Sequence, residues 1–211
     1  MADPASSGPV PRTSPRWLRE GLIIFVSVML GFGVAQYGEY QNNRQLAGRV
    51  LDGILAELDR NMAGLEPLVP IHRSWVESLA RVETPGSGQS GLDVWFATRP
   101  KLPASAKSPF PFLNRSAWDA AISGGALRLI DYDVAAVLSE IYRLQETATQ
   151  NIERLANGAL SSTTTFDPGS RAASVRLLWL TLADIESAES VLLDLYRQHL
   201  PTIRTAANKQ N

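Results

Sequence analysis

The sequence contains two histidines, His72 and His199, which are the first residues to test for metal chemistry. A di-iron site in a helical bundle needs two Glu-x-x-His pairs, but Val69 and Tyr196 stand three positions before the two histidines. The chain also lacks a His-Glu-x-x-His motif and has no cysteine that could bind zinc or act as a nucleophile. We therefore expect no metal and no cofactor, and we expect both histidines at the surface or at a helix end.

Two further motifs fall short of catalytic signatures. Residues 86–91, GSGQSG, match the spacing of a dinucleotide-binding glycine loop, but such a loop follows a strand and opens a helix. Here Pro85 precedes the glycines and a proline-rich stretch follows them, which favours a flexible linker. No serine stands in a G-x-S-x-G nucleophile elbow. We expect that the protein is not an enzyme.

A group of aromatic and charged residues around a short predicted helix is the remaining candidate site. Its members are Trp118, Asp119, Arg128, Asp131 and Tyr142. They could line a ligand pocket between helices, where helical bundles bind small molecules. The interpretation that we favour is a packing corner in which Trp118 and Tyr142 pack together. Asp131 would then cap a helix, and Arg128 would pair with a carboxylate.

These residues must be positioned by helices, and the most distinctive helical stretch is apolar. Residues 21–38, GLIIFVSVMLGFGVAQYG, carry no charge. As a helix they would extend about 27 Å, close to the hydrocarbon thickness of a bilayer. Trp17 precedes the stretch, and Tyr37 and Tyr40 lie at its end, as expected of aromatic girdles at the two interfaces. We expect one membrane-spanning helix over residues 16–40.

The flanking charges predict the orientation of this helix. Three arginines lie close before the stretch, whereas Arg44 and Arg49 after it are diluted by acidic residues. The bias favours a cytoplasmic N-terminus and a periplasmic C-terminal domain at the bacterial inner membrane. The alternative is a secreted protein with a cleaved signal peptide, because residues 33–35, GVA, resemble a signal-peptidase site. We favour the anchor, since the apolar run is longer than most signal sequences.

Small residues recur every four positions within the apolar stretch. Ser27, Gly31 and Ala35 would share one helix face and let a second helix approach closely. The functional interpretation is a helix-pairing face. Small residues are also common in membrane helices without any such role, and we favour this simpler interpretation.

Beyond the stretch, apolar residues recur every three or four positions, which predicts helices. The predicted fold is all-α, with the membrane helix continuing into an antiparallel four-helix bundle with one short extra helix and a long irregular loop. Ser116 and Asp131 are expected to cap helices, and Pro201 to end the last one. The predicted organisation is a disordered arm at 1–15, the membrane helix at 16–40, the bundle at 41–200 with its irregular loop at 84–115, and a flexible tail at 201–211.

Short motifs along the chain resemble those of a group of uncharacterised bacterial membrane-anchored proteins. The matching pieces are WLRE at 17–20, QYGE at 36–39, ELDRN at 57–61, AW at 117–118, Gly125, LRLID at 127–131, and Tyr142. Proteins of this group carry a single membrane helix after the first motif and a leucine-rich continuation behind it. The resemblance implies the same architecture and topology, and it implies no activity.

These observations together favour a binding role over a catalytic one. A net charge of −1 gives no field that would recruit nucleic acid, so the expected partners are the lipid bilayer and either a second copy or another membrane protein. We expect a membrane-anchored interaction or scaffolding protein of the bacterial envelope. The alternative is an extracytoplasmic ligand-sensing bundle. It would need a separate partner chain, because the roughly 20 residues before the membrane helix are too few to form an output domain.

Overall fold

The computed structural model describes residues 16–82, 90–98, 101–102, 108–159 and 166–210. The α-helices in these ranges are α1 (Arg16–Leu65), α2 (Val69–Ala80), α3 (Gly91–Thr98), α4 (Ser116–Ser123), α5 (Tyr132–Arg154) and α6 (Arg171–Gln210). Shorter helical turns cover Ala126–Leu129, Leu155–Ala159 and Pro168–Ser170. No strand occurs in the described ranges, so the all-α prediction is confirmed there. The arm predicted at 1–15 and most of the glycine-rich segment at 86–91 lie outside the described residues.

The chain divides into two compact units, Met1–Asn43 and Arg44–Asn211. In the first unit, every side chain of residues 19–40 is exposed. An 18-residue window of this N-terminal helix has a mean hydropathy of 1.7 and contains no buried residue. In the described part of the chain, this is the one helix long and apolar enough to cross a membrane, by length and composition. A signal sequence near an N-terminus has the same two properties.

The second unit has two apolar clusters, and α6 contributes to both. The first cluster joins α1, α4, α5 and the C-terminal half of α6 around Leu58, Ile141 and Tyr196. The second joins α2, α3 and the N-terminal half of α6 around Trp75 and Leu178. With 40 residues, α6 is about 60 Å long, so a single helix can supply side chains to two separate clusters.

The prediction that Pro201 ends the last helix and begins a flexible tail is wrong, because α6 continues through Pro201 to the end of the described chain. Ile203 is 1% exposed and Ala207 is 0% exposed, and both pack into the first cluster. An interior proline costs a helix about 3 kcal/mol, and burying an isoleucine side chain offsets about 1.5–3 kcal/mol of it. The guanidinium of Arg44 also donates to the carbonyl of Lys209 in the last turn.

The prediction of an irregular loop over 84–115 is wrong for residues 91–98, which form α3. Ser90 and Asp93 bond reciprocally: the Ser90 amide and hydroxyl each donate to Asp93 Oδ2 at 2.8 Å, and the Asp93 amide donates to Ser90 Oγ at 3.2 Å. These bonds from Ser90 lower the pKa of Asp93. Val94 and Trp95 are buried in the second cluster. The cap and the burial together make this short helix stable.

Of the two predicted helix caps, the one at Asp131 is confirmed and the one at Ser116 is wrong. Asp131 caps α5 as expected, since its carboxylate accepts a hydrogen bond from the Asp133 amide at 3.0 Å. Ser116 does not cap α4, because it is already the first helical residue and the cap position falls on Arg115. Gly125 follows α4 with a φ of 65°, a left-handed conformation that a residue with a side chain rarely adopts.

Candidate functional site: two buried polar networks

His72, on α2, is fully buried and forms a close pair with Glu189 on α6. Both side chains are 0% exposed, and His72 Nδ1 lies 2.5 Å from Glu189 Oε2. On the other side of the ring, Nε2 lies 2.7 Å from the backbone oxygen of Pro109. A surface position for His72 is therefore wrong, whereas its predicted place near a helix end is confirmed, since it is the fourth residue of α2. His199 is partly buried on α6.

These two contacts determine how many protons the pair holds. A carbonyl oxygen only accepts hydrogen bonds, so His72 Nε2 must carry a hydrogen and donate it to Pro109. A separation of 2.5 Å between Nδ1 and a carboxyl oxygen of Glu189 is attractive only when one proton lies between the two atoms. The pair therefore shares one proton, either as imidazolium with carboxylate or as neutral imidazole with carboxylic acid.

Aromatic rings enclose this pair and restrict its chemistry. The His72 ring centroid is 4.9 Å from that of Trp75 and 5.3 Å from that of Phe110. In catalytic acid–histidine pairs, the second ring nitrogen faces the substrate or the nucleophile. Here that nitrogen is occupied by the Pro109 carbonyl, and neither side chain reaches solvent. The arrangement holds the segment at 108–110 against α2 and α6.

The second network is centred on Glu57 of α1, which is 0% exposed. The Tyr142 hydroxyl donates to Glu57 Oε1 at 2.6 Å, while the Ser116 hydroxyl and the Ala117 amide each donate to Oε2 at 2.9 Å. The Ala117 amide lies in the first turn of α4, where a helix favours negative charge. Glu57 therefore supplies from another helix the capping oxygen that we expected from Ser116.

Asn61 lies one turn after Glu57 on α1 and binds the backbone of Asn114 in both directions. Asn61 Nδ2 donates to the Asn114 carbonyl at 2.7 Å, and the Asn114 amide donates to Asn61 Oδ1 at 2.9 Å. Deeper in the same cluster, Gln145 Nε2 donates to the Tyr196 hydroxyl at 2.6 Å. The connection that enters α4 is thus fixed to α1 at two adjacent points.

The five residues of the predicted corner are placed near this network, but they do not act as one group. Trp118 stacks on Tyr142, with ring centroids 4.8 Å apart and planes at 11°. Asp119 pairs with Arg115 at 3.1 Å, one helical turn away. Arg128 is exposed and, in the described part of the chain, has no carboxylate partner, so the expected pairing is not made.

Sequence reasoning missed both networks because their members are far apart in the chain. His72 and Glu189 are separated by 117 positions, and Glu57 and Tyr142 by 85. One local signal was available for Glu57, which lies three residues after the buried Ile54 and therefore on the apolar face of α1. A charged residue on a buried face needs hydrogen-bond partners from elsewhere.

The predicted helix-pairing face lies in the first unit. Ser27, Gly31 and Ala35 are exposed, and a Cβ added at Gly31 would meet nothing within 4 Å. The Ser27 hydroxyl donates to the Ile23 carbonyl at 2.8 Å, within its own helix. The face is open, and its pairing with a second helix stays a prediction.

No three histidine or acidic side chains cluster in a way that could hold a metal ion within residues 16–82, 90–98, 101–102, 108–159 and 166–210. No known protein family, no curated protein and no solved structure matches the chain. Function must therefore be argued from the geometry of the chain itself.

Replacing Glu57 with leucine is expected to destabilise the protein by about 3 kcal/mol, because Tyr142, Ser116 and Ala117 would each lose their acceptor. Glu57→Gln should cost less, since its carbonyl oxygen still accepts. Urea unfolding of the full chain in mild detergent measures both values. The matched control is Asp59→Asn, on the same helix as Glu57, which breaks an exposed ion pair to Arg204 of α6 and should cost at most about 1 kcal/mol. Equal effects of Glu57→Leu and Asp59→Asn would contradict the prediction.

Two buried tyrosines predict a loss of stability at alkaline pH. Burial raises the pKa of Tyr142 well above its ordinary value of 10.0, with Glu57 adding to the shift, and burial also raises the pKa of Tyr196. The neutral phenols are thus favoured in the folded state, so stability is complete below pH 10 and falls above it by about 1.4 kcal/mol per pH unit for each tyrosine. Tyr142→Phe should remove one of the two contributions to this slope. Tyr132→Phe, at an exposed position, should leave it unchanged, and an unchanged slope in Tyr142→Phe would contradict the argument.

Proposed function

We propose that this chain is a membrane-anchored, non-enzymatic interaction or scaffolding protein of the bacterial envelope. The observation that carries the proposal is the apolar surface of residues 19–40, where Phe25 is 62% exposed and Leu30 is 64% exposed. In water, each large apolar side chain left exposed forgoes about 1.5–3 kcal/mol of burial free energy. A lipid environment removes this cost, because hydrocarbon tails solvate apolar side chains.

The proposed topology has a cytoplasmic N-terminus and a periplasmic second unit at the inner membrane. It is supported by the arginines before the apolar stretch and by the motifs that resemble bacterial membrane-anchored proteins. For the second unit we propose an antiparallel four-helix bundle. Two ion pairs support this architecture, since Asp59 of α1 pairs with Arg204 of α6, and Glu66, one residue beyond the end of α1, pairs with Arg197 of α6. Residue numbers rise along one helix as they fall along the other, as in antiparallel neighbours.

A non-enzymatic role is supported by how the buried ionisable groups are used. Glu57 accepts three internal hydrogen bonds, and His72 uses both ring nitrogens within the core. Groups engaged in this way hold segments and helix ends in place. Their geometry fits a rigid module that presents an outer surface to a partner.

Reporter fusions behind Asn211, combined with the size of the mature chain, test the anchor and its orientation. We expect activity of an export-dependent reporter, no fluorescence of a cytoplasm-dependent one, and an unprocessed chain that resists alkaline carbonate extraction. A chain shortened by about 35 residues and found in the soluble periplasm would instead support signal cleavage. Cross-linking in intact cells tests the scaffolding role, and a strictly monomeric chain without partners would contradict it.

A ligand-sensing domain that acts with a separate partner chain is the alternative function. One observation favours it, an apolar groove of about 350 Å³ between α2 and α6 that is lined by Leu79, Val175 and Trp179. A thermal-shift screen of envelope metabolites tests this role, and the absence of any stabilising compound would contradict it.

A further inference from the structure

One end of the second unit is defined by the place at which the chain enters it. The unit begins at Arg44, six positions after Gly38, the last residue of the apolar stretch. Six residues of chain span at most about 20 Å when fully extended, so Arg44 stays within that distance of the end of the stretch. The guanidinium of Arg44 donates to the Lys209 carbonyl, which brings the last turn of α6 to the same end of the unit.

The beginning of α5 also lies at this end. Gln145 of α5 donates to the Tyr196 hydroxyl of α6, and Asn151 donates to the Asp184 carbonyl, so the two helices run antiparallel. Tyr132 stands thirteen positions before Gln145, and the last turn of α6 begins about thirteen positions after Tyr196. Because both helices rise by about 1.5 Å per residue, Tyr132 is level with the last turn of α6.

Three helices expose apolar side chains at or near this end. Tyr132, the first residue of α5, is 83% exposed, and Leu46 on α1 is 37% exposed. Ile122 is 49% exposed in the last turn of α4, which leads into α5 through one short connection. A tyrosine combines an apolar ring with a hydroxyl that binds water, and this residue type is enriched where membranes meet water.

The charges at this end are nearly balanced. Three exposed side chains are basic, those of Arg44, Arg128 and Lys209, and two are acidic, those of Asp131 and Asp133. A surface of this kind exerts little attraction on a soluble polyanion. It is compatible with a zwitterionic headgroup layer, in which phosphate and ammonium groups can pair with side chains of either sign.

We propose that this end of the second unit docks in the headgroup layer of the bilayer, with Tyr132, Ile122 and Leu46 directed toward the hydrocarbon boundary. The proposal rests on the proposed membrane anchor and adds a second contact to it. Docking holds the unit at the membrane surface by contacts other than the chain connection alone. The α2–α3 region packs on the N-terminal half of α6, at the other end of that helix, and it then faces away from the bilayer toward a partner.

Spin labelling tests this contact directly, because the chain contains no cysteine and a single introduced one can be labelled. The full-length Ile122→Cys variant carries the nitroxide in phosphatidylcholine nanodiscs, and its accessibility to oxygen, which concentrates in lipid, is compared with that to a water-soluble nickel complex. The matched control is Leu177→Cys, at an apolar position 45% exposed on α6. Leu177 lies about 48 Å from Lys209 along the helix. We expect an oxygen-to-nickel ratio several-fold higher at Ile122 than at Leu177.

Adding Tyr132→Glu to the labelled Ile122→Cys chain should lower this ratio toward the value at Leu177. The glutamate enters the first turn of α5, where a helix favours negative charge, so the fold is retained. A label at Leu30→Cys reports on the anchor itself. Lipid around Leu30 with water around Ile122 would overturn the docking and leave the anchor intact, whereas water around both would refute the anchor and the docking with it. A ratio at Ile122 that is unchanged by Tyr132→Glu would also overturn the proposal.

Discussion

Replacing His72 with leucine is expected to lower the free energy of unfolding by about 3–5 kcal/mol, among the largest effects available in this chain. The substitution leaves the Glu189 carboxyl buried without its proton-sharing partner, and it leaves the Pro109 carbonyl without a donor. The Glu189 carboxyl cannot reach water, because both side chains of the pair are 0% exposed in the native state. Urea unfolding of the full-length chain in mild detergent, followed by helical circular dichroism, measures the change.

A double-mutant cycle separates the pair from simple packing effects. We expect His72→Leu with Glu189→Met to be more stable than either single variant, because no buried polar group is then left unpaired within the pair. The coupling free energy between the two sites should be about 2–3 kcal/mol. Additive effects would show that the two side chains do not stabilise each other and would contradict the geometry.

Arg73 provides the matched control for this cycle. It follows His72 on α2 and pairs with Glu186 of α6 at 2.8 Å, but its side chain is 58% exposed. Solvent screens such a pair, so Arg73→Gln should cost at most about 1 kcal/mol. The buried His72–Glu189 pair and the exposed Arg73–Glu186 pair join the same two helices. The difference between their effects on the free energy of unfolding therefore isolates the effect of burial.

Placing two arginines in the apolar stretch, Val26→Arg with Leu30→Arg, is expected to remove the protein from the membrane fraction. Each arginine at the centre of a membrane helix costs about 2.5–3.5 kcal/mol, so the pair costs about 5–7 kcal/mol. This cost of membrane insertion exceeds the favourable free energy that the remaining apolar side chains of a single helix supply. Fractionation with alkaline carbonate measures the share of the chain that remains in the membrane.

The control for this experiment places the same charges on the second unit. Leu177 and Leu180 are each 45% exposed on α6, so Leu177→Arg with Leu180→Arg adds two arginines at exposed apolar positions. This variant should stay in the membrane fraction like the unmodified chain. If both double variants fractionate alike, residues 21–38 are not the determinant of membrane association.

Several features could be predicted from local sequence because short-range physics determines them. The helical class follows from apolar residues spaced by three and four, and the exposed apolar helix follows from an uncharged run of 18 residues at 21–38. Asp131 caps α5 because a carboxylate can reach an amide two residues away. Packing of Trp118 against Tyr142 was anticipated because aromatic residues at a corner between helices usually serve packing, and the two rings are stacked.

Other features depended on residues far away in the chain. Pro201 is a local helix breaker, yet α6 continues because Ile203 and Ala207 are buried in the first cluster. Ser116 has the local character of a cap, yet Glu57 takes over that role from α1. Ordinary helix propensities differ by less than about 1 kcal/mol per residue and an interior proline costs about 3 kcal/mol, and tertiary burial of several side chains outweighs both.

By itself, the sequence determined that this chain is helical and that it carries a segment apolar enough for a membrane. Both properties are summed over many adjacent residues, so no knowledge of distant contacts is needed. Only the tertiary structure decided which polar groups are buried: His72 with Glu189 across 117 positions, and Glu57 with Tyr142 across 85. A polar side chain is stable in the interior only when a partner meets it there, and the packing of helices alone determines which partner does.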